Sequence, residues 1–205
     1  MAKFVNQKVS SASYYLRSIS KIRKVLTTAA TKSLIHAYVT SRLDYCNCLL
    51  LGINKSLLKK LQNVQNTAAR IITSDKEKSI ATVLHDLHWL PVWKRIIFKI
   101  LVHVFNGLHD KAPQYLTEIL PPFRYLTSEH RNLRSQDDLQ FQLQRTNSKY
   151  GDKCFQLTAP KIWNLLHYQI RNSKNISVFK KLTFLFNVSD QSSIFTCCVV
   201  MNNFK

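Results

Sequence analysis

Apolar residues recur at three- and four-residue steps along the first two thirds of this chain, and those steps predict helices. Val9, Ala12, Leu16 and Ile19 form one stripe, with Arg17, Lys21 and Lys24 on another face. A second helix starts at Thr27 or Thr28, either of which can cap it. Leu34, Tyr38 and the Leu43/Tyr45 region are its expected buried side, and Gly52 its expected end. In the third helix Leu57, Leu61, Val64, Ala68 and Ile72 line one face. Lys59, Asn63, Asn66 and Arg70 line a second, and Asn54 supplies the N-cap. A shorter helix over 80–87 stops at Leu90–Pro91. A fifth runs over 91–108, with Pro91 tolerated in its first turn. Its core stripe is Ile97, Leu101, Val104 and Leu108, broadened by Ile96 and Ile100.

Pro113 and Pro121–Pro122 break this pattern. Beyond them Leu139, Phe141 and Leu143 alternate with Gln140, Gln142 and Gln144, a period of two that predicts a half-exposed strand. Leu133 is the candidate for a partner strand across 135–138. After Tyr150–Gly151 the period lengthens: Phe155, Ala159, Trp163 and Leu166 have helical spacing, with Pro160 expected to start a new turn. A last helix over 176–186 turns Phe179, Leu182 and Phe186 inward. The expected fold is mainly α: a helical bundle followed by a small α+β segment with a candidate two-stranded hairpin. Its expected divisions are 1–75, 76–122, 123–187 and an irregular tail, 188–205.

Charge changes the picture more than length does. The chain has 205 residues, enough for one large or two small domains, and is 45% hydrophobic, enough for a core. Lys and Arg number 30 against 11 Asp and Glu, a net charge of +19. A protein this basic repels itself unless a polyanion is near, and nucleic acid is the expected one. With only 3 glycines, the chain is poor in the residues of phosphate-cradling loops. Its five cysteines, Cys46, Cys48, Cys154, Cys197 and Cys198, are an odd set without disulfide-framework spacing. The opening residues, MAKFVNQKVSSASYYL, have no apolar core of signal-peptide length, and no apolar run is long enough to span a membrane. An intracellular location, nuclear or cytoplasmic, is expected, with no secretion and no membrane partner.

Candidate chemistry is sparse. Cys46 and Cys48 are two apart in a helical stretch and so do not share a face. His85 and His88 can share a face but lack a third ligand nearby, so packing and solvation are the expected roles of all four. No Gly-x-Ser-x-Gly is present, and the one adjacent acidic pair, Asp137–Asp138, falls in a polar turn. No catalytic residue, metal site or cofactor is expected. What remains is a set of cations beside apolar stripes: Arg17, Lys21, Lys24, Lys59, Arg70, Lys94, Arg95, Lys153 and Lys161. Asn63 and Asn66 can join them on phosphate or sugar oxygens. Trp89, Trp93 and Tyr150 can stack on bases, although core packing is the commoner fate of Trp89, Trp93 and Trp163.

Several segments are specific in combination. Ser41-Arg42-Leu43-Asp44-Tyr45-Cys46-Asn47 is followed by Lys60-Leu61-Gln62-Asn63-Val64-Gln65-Asn66-Thr67-Ala68-Ala69-Arg70 and by Leu87-His88-Trp89-Leu90-Pro91-Val92. Then come Ala112-Pro113-Gln114-Tyr115-Leu116, Tyr150-Gly151 with Phe155, Ala159-Pro160-Lys161-Ile162-Trp163-Asn164, Ile170-Arg171 and Phe179-Lys180. This ordered set resembles the C-terminal part of the polyprotein of LINE-type (non-LTR) retrotransposons of the jockey-like kind, over about Val9 to Leu182. The resemblance implies a thumb-like region up to about Thr73, which would grip a primer–template duplex, followed by the segment beyond it. The family's polymerase aspartates sit in a Tyr/Phe-Ala-Asp-Asp motif, which this chain lacks, so no catalytic residue carries over. Two positions depart from the family pattern: His167 stands where Pro is usual, and Asp110 where Gly is usual.

The resulting expectation is a reverse transcriptase fragment, not an enzyme on its own. It would bind template RNA or RNA–DNA duplex through its basic helical faces and would have the missing palm and fingers as natural partners. The alternative is a non-catalytic helical structural or interaction module, including a decayed element copy with no selected function. Oligomeric state is open from sequence.

Overall fold

The computed structural model describes residues 1–75, 77–121, 139–144 and 154–189. Among them the chain is mainly helical and there is no sheet. It divides into two compact units, Met1–Ile96 and Ile97–Lys205.

The first unit is built on α1 (Ala2–Ile22) and α4 (Lys55–Thr73), which pack on each other. Val5, Ala12, Leu16 and Ile19 are buried on α1, and Leu61, Val64, Ala68, Ala69 and Ile72 on α4. The expected stripes hold in part: Val9 and Leu57 are only half-buried, while Val5 joins the α1 core and Gln65 and Ala69 the α4 core. Asn54 caps α4 as expected, its side chain accepting from the Ser56 N–H at 3.0 Å. The other end is closed by a residue that the helical pattern did not single out. Past the end of α1, the Arg23 guanidinium donates to the carbonyls of Ile71 (2.8 Å), Ile72 (3.0 Å) and Leu26 (2.9 Å). A cation on the last carbonyls of a helix satisfies orphan acceptors and opposes the helix dipole.

The expected second helix is three pieces. Thr27 caps α2 (Thr28–Ile35), accepting from the Ala30 N–H at 3.2 Å. A π-helical segment, His36–Thr40, then leads into α3 (Ser41–Asp44). Cys46 takes the left-handed conformation at φ 49°, and a 3₁₀ turn over Asn47–Leu50 follows. The helix therefore stops at Asp44 rather than near Gly52. Its buried face is rotated from the expected one as well. Leu43 is buried as expected, with Ile35 and Val39 at steps of four before it, whereas Tyr38 is 44% and Tyr45 68% exposed.

Helix α5 (Ile80–Asp86) is capped by Ser79 and ends where His88 turns left-handed (φ 54°). The Trp89 N–H then returns to the Leu84 carbonyl at 2.8 Å, a Schellman-type closure. Pro91 follows, just before α6 (Val92–Leu108). Two amides of α4 hold the backbone around this proline. Gln65 Nε2 donates to the Leu90 carbonyl at 2.8 Å, and Gln62 Oε1 accepts from the Val92 N–H at 2.9 Å. Gln62 Nε2 also donates to Gln65 Oε1 (3.0 Å) and Asn66 Oδ1 (2.8 Å). Gln65 is 1% exposed, so its bond to Leu90 is made away from water.

The division between units falls inside α6, whose later residues Ile97, Ile100, Leu101, Val104 and Phe105 are core to the second unit. That unit continues with α7 (Gln114–Ile119), α8 (Phe155–Asn164), α9 (Tyr168–Arg171) and α10 (Ile176–Ser189). Phe179 stacks on Phe105 (centroids 4.4 Å apart) and on Trp163 (5.7 Å), and Trp163 meets Phe141 edge-on at 6.1 Å. Pro160 does not start a new turn; it lies buried within a continuous α8. It removes one helical N–H, and the burial of Thr158, Ala159, Ile162 and Trp163 on the same helix offsets that loss.

The expected strand is reduced to one anchored segment. Phe141 is buried, but Leu143 is 48% exposed and Leu139 turns left-handed at φ 46°. Its anchor is a side chain. Asn164 Oδ1 accepts from the Phe141 N–H and Asn164 Nδ2 donates to the Phe141 carbonyl, both at 2.9 Å. Trp163 Nε1 donates to the Leu139 carbonyl at 2.9 Å. Leu133 and the expected hairpin turn lie outside the described residues; of the expected irregular tail, 188–205, the first two residues continue the last helix and 190–205 lie outside the described residues.

Two stability outcomes follow. Gln65→Leu keeps the volume but removes the donor to the Leu90 carbonyl, and should cost about 1–3 kcal/mol in urea unfolding. A Gln65→Leu variant as stable as the parent would show that the amide bond is dispensable. Phe179→Ala opens the aromatic stack and should cost about 3–5 kcal/mol by the same measurement.

Candidate nucleic-acid interface

The apolar stripes of α1 and α4 face each other, so the polar residues beside those stripes meet along one groove of about 470 Å³. Arg17, Ser13 and Ser20 line it from α1, and Lys60, Asn63 and Thr67 from α4. Its floor is Val9, Leu16, Val64 and Ile71. Arg17 Nε donates back to the Ser13 carbonyl at 3.3 Å, which lays the guanidinium along the helix. Lys60 Nζ donates to Asn6 Oδ1 at 3.0 Å, bridging the two helices at the surface. Lys60 lies in the family-like segment but was not among the expected contacts, because Lys59 beside it completes the polar stripe.

The other expected residues separate into three groups. Lys59 and Arg70 are exposed on α4, on the same face as Asn63. Lys21 is exposed on the last turn of α1; Lys24 is exposed too, but in the turn beyond the end of that helix. Asn66 is half-buried and accepts from Gln62, so it belongs to the amide network that holds Pro91. Arg95 and Lys94 are engaged within the fold. Arg95 Nε pairs with Asp44 Oδ1 at 2.7 Å, with both side chains less than a quarter exposed. Lys94 is buried, its amine 5.4 Å from the Trp93 ring centre. Lys161 is half-buried in α8 of the second unit, and Lys153 and Tyr150 lie outside the described residues.

The indoles are mostly spent on packing. Trp89 is 9% exposed and meets the His36 ring edge-on at 5.5 Å, and Trp163 is fully buried. Trp93 is half-buried. Among the described residues no three His, Cys, Asp or Glu side chains are grouped to hold a metal ion. The His85 and His88 rings are 6.5 Å apart, Cys46 and Cys154 are exposed thiols, and the half-buried Cys48 donates to Asn47 Oδ1 at 3.7 Å. No helix among the described residues is long and apolar enough to cross a membrane.

The acids explain why the surface of the first unit is so positive. Residues 1–74 contain twelve Lys and Arg and a single acid, Asp44, a surplus of eleven. That one carboxylate is taken by Arg95 and by a long bond from Asn47 Nδ2 at 3.5 Å. Positive potential also reaches the titrating groups. Burial lowers the His36 imidazole below its ordinary value, the charges of Arg95 and Lys32 lower it further, and Asp44 opposes them. Burial likewise lowers the Lys8 ammonium, against the pull of Cys46 and Asp44. Lys8 stays bound regardless, donating to the carbonyls of Leu43 (3.4 Å) and Tyr45 at the end of α3.

No family model, no curated protein and no solved structure matches the chain.

The depressed His36 value gives a pH dependence with a defined sign. Well above pH 6.5 the imidazole is neutral in both states and costs nothing. Below it the unfolded chain takes up a proton that the folded chain resists, so stability falls as pH falls. His36→Gln should flatten the difference between urea midpoints at about pH 7.5 and about pH 5. An unchanged slope in that variant would place the acid sensitivity elsewhere.

Proposed function

We propose that this chain is the thumb and post-polymerase part of a jockey-like non-LTR retrotransposon reverse transcriptase, holding template RNA or RNA–DNA duplex without polymerase chemistry of its own. The observation that carries the reading is the surplus of eleven positive charges before Asp75, whose only acid is committed to Arg95. Arg17, Lys21, Lys24, Lys59 and Lys60 then stand on the α1–α4 surface with no other acid among residues 1–74 to neutralise them, and Arg70 extends their row along α4. Such a surface suits phosphates, whose counterions it displaces. Asn63 and the hydroxyls of Ser13, Ser20 and Thr67 in the groove add neutral donors of the kind that fix a sugar–phosphate backbone.

The family origin draws support from how the recognised segments use each other. Gln62 and Gln65 of the second segment hold Leu90 and Val92 of the third. Asp44 of the first pairs with Arg95, just beyond the third. Residues that recur together in a family are expected to be those that hold one another in place. Backbone contacts would dominate the binding, so sequence preference would be slight, and A-form geometry would be read by shape.

A second reading is favoured by exposed apolar side chains: Val25 is 89% and Leu49 60% exposed. In that reading the helices dock on other domains and the cations are merely solvated.

Filter binding of an RNA–DNA duplex over a salt series, from about 50 to about 200 mM, separates the two. The expected outcome is a linear fall of log affinity with log salt. Replacing Arg17, Lys21, Lys59 and Arg70 together by Gln should flatten that slope by about 3–4, near 0.9 for each phosphate no longer neutralised. Affinity and slope unchanged by the four substitutions would favour the docking module.

A further inference from the structure

On another side of α1 lies a second groove, of about 560 Å³, where the chemistry is aromatic as well as cationic. Phe4, Gln7, Lys8 and Ser11 line it from α1, with Arg42 and Tyr45 opposite. None of these six residues belongs to the α1–α4 surface described above. We propose that this groove seats one unpaired nucleotide of a single-stranded segment, its base on the Tyr45 ring and its phosphate between Lys8 and Arg42. The proposal rests on the reading that the chain binds nucleic acid, and adds a strand-specific subsite to it.

The cations are already fixed in place. Lys8 Nζ holds the carbonyls of Leu43 and Tyr45 and sits 4.8 Å from the Phe4 ring centre and 5.9 Å from that of Tyr45. Arg42 Nε donates to Ser11 Oγ at 3.0 Å, and Nη1 to the Tyr38 carbonyl at 2.7 Å. Its guanidinium also lies over the Tyr15 ring, 4.1 Å from the centre. An ammonium has three donors and a guanidinium five, so each keeps donor capacity beyond these bonds. Both are held without a carboxylate, and their pre-set geometry lowers the entropy lost on binding.

The rings are as informative as the charges. Tyr45 is 68% exposed at the rim, and Tyr15, stacked on Tyr38 at 5.2 Å, continues the aromatic surface beyond Arg42. Tyr14 extends it, edge-on to Tyr15 at 5.3 Å and 62% exposed. Exposed rings alternating with cations are the platform on which successive unstacked bases lie, since every base has a π face. A duplex keeps its base faces covered and cannot use them. An acidic peptide would satisfy the cations and leave the rings idle. The π-helical segment His36–Thr40 carries Tyr38 and runs into α3, which carries Arg42. Such segments recur at binding sites.

The test uses the whole chain and labelled probes of about 12 nucleotides, within the span of known single-strand sites. Anisotropy compares a single-stranded RNA with an RNA–DNA duplex for the parent, Tyr45→Ala and Tyr45→Phe. Tyr45→Ala changes no charge and removes an exposed ring. It should weaken single-strand binding about tenfold and duplex binding by less than about twofold, with Tyr45→Phe close to the parent. Photocrosslinking of a 5-iodouridine strand to the parent protein should map to Tyr45 or Phe4, which needs no variant to fold. Duplex binding intact with single-strand binding indifferent to Tyr45→Ala, or crosslinks elsewhere, would overturn this site alone. Displacement of the strand by polyglutamate with equal effect, and no dependence on the ring, would point to an acidic peptide and also overturn it. A parent chain that binds neither probe at low salt would take down the nucleic-acid reading itself, and this site with it.

Discussion

The first unit depends on one buried amide. Pro91 ends the chain's run from α5 and leaves the Leu90 carbonyl and the Val92 N–H without helical partners on either side of it. In the interior such groups cost about 1–3 kcal/mol each if unmet. Gln65 and Gln62, three apart on α4, supply one donor and one acceptor at 2.8 and 2.9 Å. The bond between the two amides fixes which end of each points where, so the pair acts as a single template. That template sets where α6 begins and thereby brings Arg95, in its first turn, to Asp44 at the end of α3.

How much of this was legible in sequence follows from the kind of signal each feature leaves. The stripes of α1 and α4, the Asn54 and Thr27 caps and the extent of α6 rest on local spacing, and spacing is visible. Gln65 was not legible as a core residue, because a glutamine in a helix normally marks the solvent face and its partner lies 25 residues on. The inward face of α2 through α3 was misjudged for a related reason. Tyr38 and Tyr45 are large and apolar enough to suggest burial, but the smaller Ile35 and Val39, at steps of four with the expected Leu43, take the core. The strand expected at 139–144 rested on alternation. Tertiary context kept only Phe141, since Asn164 meets its N–H and carbonyl as a neighbouring strand would. Of the candidate interface, the cations themselves were visible and their sorting was not. Nothing local in sequence distinguishes Arg23, which closes α4, from Lys24, which faces water.

That sorting bears on function because it divides the cations by what they are bonded to. Lys8, Arg23 and Arg42 hold backbone carbonyls, and Arg95 meets the sole acid of residues 1–74. These bonds account for where the four cations sit, and Lys8 and Arg42 keep further donors beyond them. Arg17, Lys21, Lys24 and Lys59 are different. No carbonyl cap accounts for their placement, apart from the local bond from Arg17 to Ser13, and they cluster on two adjacent helices and the turn after the first.

Clustered like charges raise the free energy of the folded state, and a sequence can relieve that at small cost by placing an Asp or Glu three or four residues away. Helix α4 has nineteen residues, four of them basic, and no acid at all. Helix α1 has twenty-one and likewise no acid. In their place stand serines, threonines, asparagines and glutamines, which keep the surface soluble without cancelling its potential. A merely soluble helix pair has no reason to avoid carboxylates so completely, whereas a surface that must meet phosphates does: each acid would have to be desolvated against an anion. The avoidance of acid therefore weighs more than the abundance of base. It also extends to the aromatic groove on the other side of α1, where Lys8 and Arg42 are held by carbonyls and a hydroxyl instead of carboxylates.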